Sequence, residues 1–263
     1  MRNFSKSAWK HFIAVALLGF SQLACAQSLW TWNNATHPAG VGGVPGGASG
    51  AGVWVYKGVY YIPGVGHMAS PLGAWRIESV TGQGNFGRVA HTTRPTNTET
   101  GDDIGLIATG TQPIAPRIRV SDGWQDAPIS DVSHGDLKKG DWICHSGMSA
   151  DTRSSGGYRC GTMTMDCPRT ASMCYAAAAS GNLVAGGDSS GPVWWYDGRG
   201  GVVLMGWVRG SLMIDSKQWL SFSPVWLIQD HVWKPEESWV SWGYPAGNDG
   251  TGCFLTTSGC IKP

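Results

Sequence analysis

The chain has 263 residues, of which 42% are hydrophobic, and a formal net charge of +1. A chain of this length can bury a sizeable core, either as one large β domain or as two small halves. The near-zero charge gives no electrostatic footprint for a nucleic acid, so that class of partner is excluded. The 39 glycines favour short strands joined by tight turns.

The first 26 residues have the pattern of a signal peptide. The basic residues at its start are Arg2, Lys6 and Lys10. The apolar run over 12–20 is too short to span a bilayer, and 24–26 (ACA) matches a small-x-small cleavage site. A lipoprotein site at Cys25 is the alternative, although Gln22 stands where leucine is usual. We expect an exported protein, secreted or periplasmic, without a membrane segment after cleavage.

A glycine-rich stretch over 39–52 predicts a flexible N-terminal arm, which we bound at 27–52. Short runs rich in β-branched and aromatic residues follow and predict strands. They lie at 53–63, 74–80, 87–92, 104–109 and 117–121, and then at 141–146, 158–165, 191–196 and 201–210. The two groups predict a mostly antiparallel, all-β protein with two barrels or sheets that meet near residue 125.

One late segment, 223–234, has a helical pattern. Ser223 is the expected N-cap, and Pro224 would occupy the first helical position.

Six cysteines remain after the predicted cleavage, and an even number in an exported chain favours disulfides over metal ligands. Pairing each cysteine with its neighbour predicts the bridges Cys144–Cys160, Cys167–Cys174 and Cys253–Cys260. Sequence order alone does not fix the pairing, because six cysteines allow 15 connectivities. No Cys-x-x-Cys or His-x-x-x-His spacing occurs, so we expect neither a metal nor another cofactor.

The segment 186–193, GGDSSGPV, sets an acidic residue and two hydroxyls between glycines and a proline. Acyl transfer by a serine needs a hydroxyl, a neutral base, a carboxylate that orients the base, and N–H groups that stabilise the oxyanion. Gly187 permits an unusual turn, so that its N–H and that of Ser189 can converge on one point. This loop is therefore a candidate catalytic loop, and an ordinary polar turn is the alternative.

Four blocks in the same order resemble the chymotrypsin-like serine proteases, and in particular their bacterial streptogrisin and α-lytic protease branch. They are GRVAHTTRPTNTETGDDIGLI (87–107), ICHSGMSADTRSSGGYRCGTM (143–163), GDSSGPV (187–193) and SFSPVWLIQDHV (221–232). The resemblance implies two packed, antiparallel six-stranded β-barrels with a C-terminal helix. The protease domain would cover 53–263, with barrels at about 53–125 and 126–235 and a tail after them.

The resemblance also implies roles for individual residues. Ser189 would be the nucleophile, His67 the general base and Asp103 the acid that orients it, with Gly187 and Ser189 forming the oxyanion hole. His91 is the alternative base, and Asp102 is the alternative acid.

Further positions follow from the same resemblance. His145 would pair with Asp188 and hold the oxyanion loop without N-terminal processing, and Arg209, Gly210 and Ser211 would line the substrate pocket. We expect this pocket to accept a medium or large apolar side chain.

Three positions depart from the family pattern. Met68 replaces a cysteine after the histidine, and Ser190 replaces a glycine and is expected to be incidental. Arg209 stands where the family has a serine beside the catalytic aspartate. Its guanidinium would either pair with Asp103 and pull it off the histidine, or turn outward to solvent.

The predicted function is that of a monomeric, secreted serine endopeptidase whose partner is a protein or peptide substrate. One alternative is a catalytically inactive relative that binds peptides in the old cleft, which Arg209 and Met68 favour. Another is glycan binding through the tail tryptophans Trp233, Trp239 and Trp242.

Overall fold

The structure is a computed structural model of the chain. It describes residues 29–30, 48–49, 52–56, 59–68, 75–77, 85–93, 101–110, 116–120, 126–147, 149–228 and 252–261. The signal peptide predicted over 1–26 lies outside the described residues, and so do the three tail tryptophans.

Short strands dominate the part of the chain that the structure describes. In the first half they are β1 (Leu29–Trp30), β2 (Ala48–Ser49), β3 (Trp54–Tyr56), β4 (Val59–Gly64), β5 (Trp75–Ile77), β6 (Asn85–Thr92), β7 (Gly105–Gly110) and β8 (Arg117–Arg119). In the second half they are β9 (Asp126–Val132), β10 (Trp142–Ser146), β11 (Tyr158–Met163), β12 (Cys174–Ala177), β13 (Pro192–Tyr196), β14 (Val202–Ile214), β15 (Lys217–Pro224), β16 (Cys253–Thr256) and β17 (Gly259–Ile261). A short helix, α1, spans Ala150–Ser154.

The second half of the chain forms a closed six-stranded barrel. Its strands follow the order β13-β10-β11-β12-β15-β14, and pairing of β13 with β14 closes the ring. The apolar side chains of these strands fill the barrel, as their alternation along each strand requires. Fully buried members include Ile143, Val193, Trp194, Leu204, Val208 and Phe222. Strand β9 extends this sheet from β14, to which it runs parallel, and β8 follows β9.

The first half forms a second sheet of seven described strands in the order β17-β16-β3-β4-β7-β6-β5. The C-terminal hairpin β16–β17 belongs to this sheet because β16 pairs antiparallel with β3. Phe254 of the hairpin contacts Trp54 edge-to-face, with ring centroids 4.9 Å apart, and also stacks on Trp207. The hairpin, predicted as a tail after the barrels, therefore completes the core of the first sheet.

The predicted all-β architecture is confirmed. The described strands form a closed six-stranded barrel extended by β9 and β8, a seven-stranded antiparallel sheet, and the small parallel pair β1–β2. The chain passes from the seven-stranded sheet to the barrel sheet between β7 and β8, before the predicted boundary near residue 125. Strand β8, which falls in the segment predicted for the first barrel, instead pairs with β9 of the second.

The predicted helix start at Ser223 is wrong. Ser223 and Pro224 are the last residues of β15, where both are buried, and helical residues begin at 226. The pairing of Ser223 with Trp207 of β14 keeps this segment extended. The helix is described only through residue 228, so the rest of the predicted element lies outside the described residues.

Three disulfides join the cysteines in the predicted pairs, Cys144–Cys160, Cys167–Cys174 and Cys253–Cys260. The first links partners that lie opposite each other on β10 and β11. The third links the strands of the C-terminal hairpin. The described residues form no helix that is long and apolar enough to cross a membrane.

Candidate active site

His67 and Asp103 meet because two neighbouring strands place them together. Strand β4 ends at Gly64, which is paired with Gly105 at the start of β7. The residues just after β4 therefore lie beside those just before β7. His67 Nδ1 is 2.6 Å from Asp103 Oδ2, and the His67 backbone N–H donates to Oδ1 at 2.8 Å. Asp103 is fully buried, whereas 36% of the His67 side chain is exposed.

The two alternative residues have different positions. His91 is buried within β6, opposite Leu106 of β7. Asp102 is half-buried, and its carbonyl accepts a hydrogen bond from the Thr93 hydroxyl. His67 and Asp103 are in a carboxylate–imidazole contact, which is the arrangement that a base and its orienting acid require.

Arg209 turns inward to this pair. Its Nε lies 3.5 Å from Asp103 Oδ2, and its Nη1 donates to the Gly101 carbonyl at 2.7 Å. The interpretation that turns Arg209 outward to solvent is therefore wrong. The expectation that the guanidinium pulls Asp103 off the histidine is also wrong, because the 2.6 Å contact to His67 persists beside it. Ser223, expected as a helix cap, donates its hydroxyl to the Asp103 carbonyl at 2.8 Å.

The loop before β13 presents Ser189 half-buried at the surface. Gly187 has φ = +102°, a conformation that favours glycine. The N–H groups of Gly187 and Ser189 donate to no other described residue, although Asp188 N–H and Ser190 N–H between and after them do. Two unused donors on either side of Asp188 are what an oxyanion hole requires. The Ser189 hydroxyl likewise has no hydrogen-bond partner among the described residues.

Ser190, expected to be incidental, has a defined structural role. It is buried and adopts φ = +65°, which is unusual for a residue other than glycine. Its hydroxyl accepts a hydrogen bond from the Val65 N–H at 2.9 Å. Val65 is two residues before His67, so this bond ties the serine loop of the barrel to the histidine loop of the first sheet. The added hydroxyl gave no signal of this in the sequence.

Asp188 is held by neutral donors and not by His145. Its buried carboxylate accepts hydrogen bonds from Ser149 N–H (2.9 Å), the Ser149 hydroxyl (3.0 Å), the Thr152 hydroxyl (2.7 Å) and Ala185 N–H (3.0 Å). Ser149 is also the N-cap of α1. The predicted loop-locking pair of His145 and Asp188 is therefore wrong, because these four donors already occupy the carboxylate.

His145 instead contacts the Leu183 carbonyl through Nε2 at 2.6 Å. The side chain is fully buried, and this burial lowers the pKa of His145 below its usual value of 6.5. The attraction of Asp188 acts in the opposite direction but is the smaller effect. Ser149 and Thr152 were not identified from the sequence as partners of Asp188. The one available signal was that Ser149, three residues before Thr152, has the spacing of a helix N-cap.

A cavity of about 390 Å³ opens beside the histidine. It is lined by His67, Asp103, Arg209, Gly210, Ser211, Leu212 and Ser221. The three residues predicted for the substrate pocket, 209–211, thus share one cavity with His67. A side chain at Gly210 would meet no atom within 4 Å, so this wall is open. Among the described residues, no group of three or more His, Cys, Asp or Glu side chains can hold a metal ion.

Comparison with known proteins finds matches in structure but none in sequence. No protein-family model matches the chain, and no curated protein matches it in sequence. A solved glutamic-acid-specific serine protease, described as using a histidine triad in substrate binding, matches with a TM-score of 0.51 and 22% identity. The match covers 72% of this chain and 93% of that one.

Two further solved structures agree. The Nocardiopsis protease NAPase matches with a TM-score of 0.51 and 17% identity, over 74% of this chain and 95% of that one. The α-lytic protease homologue N4 matches with a TM-score of 0.50 and 13% identity, over 78% and 97%. At these identities the likeness establishes the architecture, and the chain has the fold of the bacterial chymotrypsin-like serine proteases.

Proposed function

We propose that the chain is a serine endopeptidase that uses Ser189, His67 and Asp103. The contact between His67 Nδ1 and the buried Asp103 carboxylate is the observation on which this proposal chiefly depends. With Nδ1 engaged as a donor, Nε2 is the nitrogen that can accept a proton. The other support is the Ser189 loop, which the bond between Ser190 and Val65 fastens beside the histidine loop.

In the first half of the reaction, Ser189 Oγ attacks the carbonyl carbon of the scissile peptide bond. His67 Nε2 takes the hydroxyl proton, and the carbonyl electron pair moves onto oxygen as the C–O bond forms. The free N–H groups of Gly187 and Ser189 stabilise this oxyanion. Collapse of the intermediate breaks the C–N bond, and the imidazolium gives its proton to the leaving amine.

In the second half, water takes the place of the serine. His67 removes a proton from the water, the hydroxide attacks the acyl carbon, and Ser189 Oγ leaves with that proton. Asp103 keeps one ring orientation throughout and stabilises the imidazolium that forms twice in each turnover. The Ser189 hydroxyl makes no hydrogen bond to His67 in the structure, and we expect that bond to form when substrate enters, as catalytic contacts commonly do.

The location and partner follow from the same features. Three disulfides and the signal-peptide pattern support an exported, secreted or periplasmic enzyme. A protein or peptide is the substrate, with the enzyme acting as a monomer.

The open wall at Gly210 and the apolar Leu212 suit a medium or large apolar side chain in the adjacent cavity.

A non-catalytic relative that binds peptides in the same cleft is the second candidate. The observation that favours it is the Ser189 hydroxyl, which makes no hydrogen bond to His67. A serine without a base is not activated, so the two candidates differ in the reactivity of Ser189.

Labelling with a fluorophosphonate separates these candidates. The reaction joins the serine oxygen to phosphorus and releases fluoride, and only an activated serine undergoes it rapidly. We expect the wild type to label and to hydrolyse a denatured protein, and Ser189→Ala to do neither. Ser154→Ala, which removes an exposed hydroxyl, is the matched control and should label normally.

The base is tested in the same assay with His67→Ala and His91→Ala. Loss of one triad member lowers turnover by a factor on the order of 10⁴ to 10⁶, so only the His67 variant should lose serine reactivity. A wild type that never labels at any pH, while it retains peptide binding, would establish the non-catalytic candidate.

A further inference from the structure

A cation is buried against the carboxylate of the proposed triad. Only 4% of the Arg209 side chain and 1% of the Asp103 side chain are exposed. Burial of an unpaired charge is strongly unfavourable, so each of these two buried charges needs the other as its partner. Arg209 occupies the position where the family pattern has a serine.

The strand that carries Arg209 is shaped to point it inward. The pairing of β14 with β15 shifts register between Val208 and Gly210, which makes Arg209 the extra residue of a β-bulge. Bulges re-aim a side chain, and they recur beside active sites. The side chain thereby crosses from the barrel to the segment before β7 in the first sheet.

Arg209 holds that segment at two points. Nη1 donates to the Gly101 carbonyl at 2.7 Å, and Nε lies 3.5 Å from Asp103 Oδ2. Two contacts made by one planar group fix the direction of the carboxylate as well as its position. The same Oδ2 atom accepts from His67 Nδ1, so the guanidinium, carboxylate and imidazole form one continuous chain.

We propose that Arg209 is a positioning residue, which fixes Asp103 for His67 and whose charge determines how far activity extends into acid. The inference rests on the proposed peptidase function. A fixed cation beside Asp103 offsets part of the negative charge that faces His67. The acidic limb of kcat/KM, where a general base takes up a proton, therefore depends on whether position 209 carries a charge.

Other charges around the pair do not change when Arg209 is replaced. In the described part of the chain, the titratable side chains on the surrounding segments are Asp102, His91, Asp188 and, at the far exposed end of β15, Lys217. They are common to the wild type and to every Arg209 variant. A difference in pH dependence between these proteins therefore reports on the charge at position 209.

The test compares the pH dependence of kcat/KM in variants that separate charge from shape. Arg209→Gln and Arg209→Met remove the charge, with and without a hydrogen-bond donor, and Arg209→Lys retains it. We expect the acidic limb of both neutral variants to move up by about one pH unit, the lower end of what a nearby charge does. The lysine variant should keep the wild-type limb, with kcat reduced about tenfold or more because a lysine does not reproduce the two contacts.

Arg199→Met is the matched control, because it removes an exposed arginine and leaves the limb in place. Near-UV circular dichroism identifies any variant that fails to fold. Because the two neutral side chains differ in volume and polarity, one of the two variants can still be measured if the other does not fold. Superimposable acidic limbs in the wild type and a folded neutral variant would overturn the inference, as would an equal shift in the lysine variant. Absence of fluorophosphonate labelling in the wild type would instead overturn the proposed function, so the two failures are distinguishable.

Discussion

The hydrogen bond from Thr152 to Asp188 provides a direct test of how the oxyanion loop is held. Thr152→Val keeps the volume of a fully buried side chain and removes one of the four donors to the carboxylate. A hydrogen bond to a charged group contributes about 1.5–3 kcal/mol. We expect the free energy of unfolding to fall by that amount, because water cannot reach a fully buried carboxylate to replace the lost donor.

The same change should reduce turnover. Asp188 lies between the two residues whose N–H groups are free, so a looser carboxylate displaces both donors. Complete removal of one oxyanion donor lowers kcat about 10²–10³-fold, and a displaced pair should lower it about tenfold, with KM changed less. Urea unfolding measures the first effect: with an m-value of about 3 kcal/mol/M the midpoint falls by about 0.5–1 M. Peptide hydrolysis measures the second effect.

Thr162→Val is the matched control, because Thr162 is an exposed residue of β11 and a valine is well tolerated in a strand. The control should retain the wild-type midpoint and kcat. If Thr152→Val behaves like Thr162→Val in both measurements, the neutral donors do not hold the loop and the reasoning fails.

Three further predictions use the same assays. Burial lowers the pKa of His145, so its contribution to stability is present above the unfolded pKa of about 6.5 and is lost as the pH falls through the lower folded pKa. Urea midpoints measured from pH 8 to pH 4 should therefore fall on the acid side, and they should fall less steeply in His145→Gln. Ser190→Gly relieves the positive φ but removes the hydrogen bond from the Val65 N–H. We therefore expect kcat to fall while the urea midpoint changes little, and an unchanged kcat would show that this bond does not position the histidine loop. Phe254→Ala should lower the free energy of unfolding by about 3–5 kcal/mol, measured in urea, since Phe254 packs on two tryptophans.

The fold was largely readable from the sequence because strand patterns are local. Runs such as 201–210 and 141–146 alternate or fill with apolar residues over the length of a strand, and the structure has β14 and β10 there. The late helix was misplaced at its start because Ser223 and Pro224 have the local chemistry of a helix cap. Pairing with β14, a contact that local chemistry does not encode, keeps them in a strand.

The candidate site was readable where a motif carried it and unreadable where contacts between distant residues decided the geometry. Asp103 lies in one of the blocks that resemble the family and His67 was assigned from the same resemblance, and the structure brings them together. The partners of Asp188 could not be derived, because Ser149 lies 39 residues away and looks like an ordinary helix cap. The direction of Arg209 was equally unreadable, since it depends on a register shift between two strands.

Three unexpected features act on different members of the proposed triad, and two of them join the barrel to the first sheet. Arg209 reaches from the barrel to Asp103, and Ser190 reaches from the serine loop to the backbone before His67. Asp188 fixes the serine loop within its own barrel through donors that carry no charge. The geometry of a triad assembled from a barrel and a sheet depends on how firmly the two are joined, since small misplacements slow catalysis steeply. Arg209 and Ser190 join them at Asp103 itself or within two residues of His67. The Ser223 hydroxyl adds a third bond, to the Asp103 carbonyl, so the two halves are joined beside the proposed base and its orienting acid.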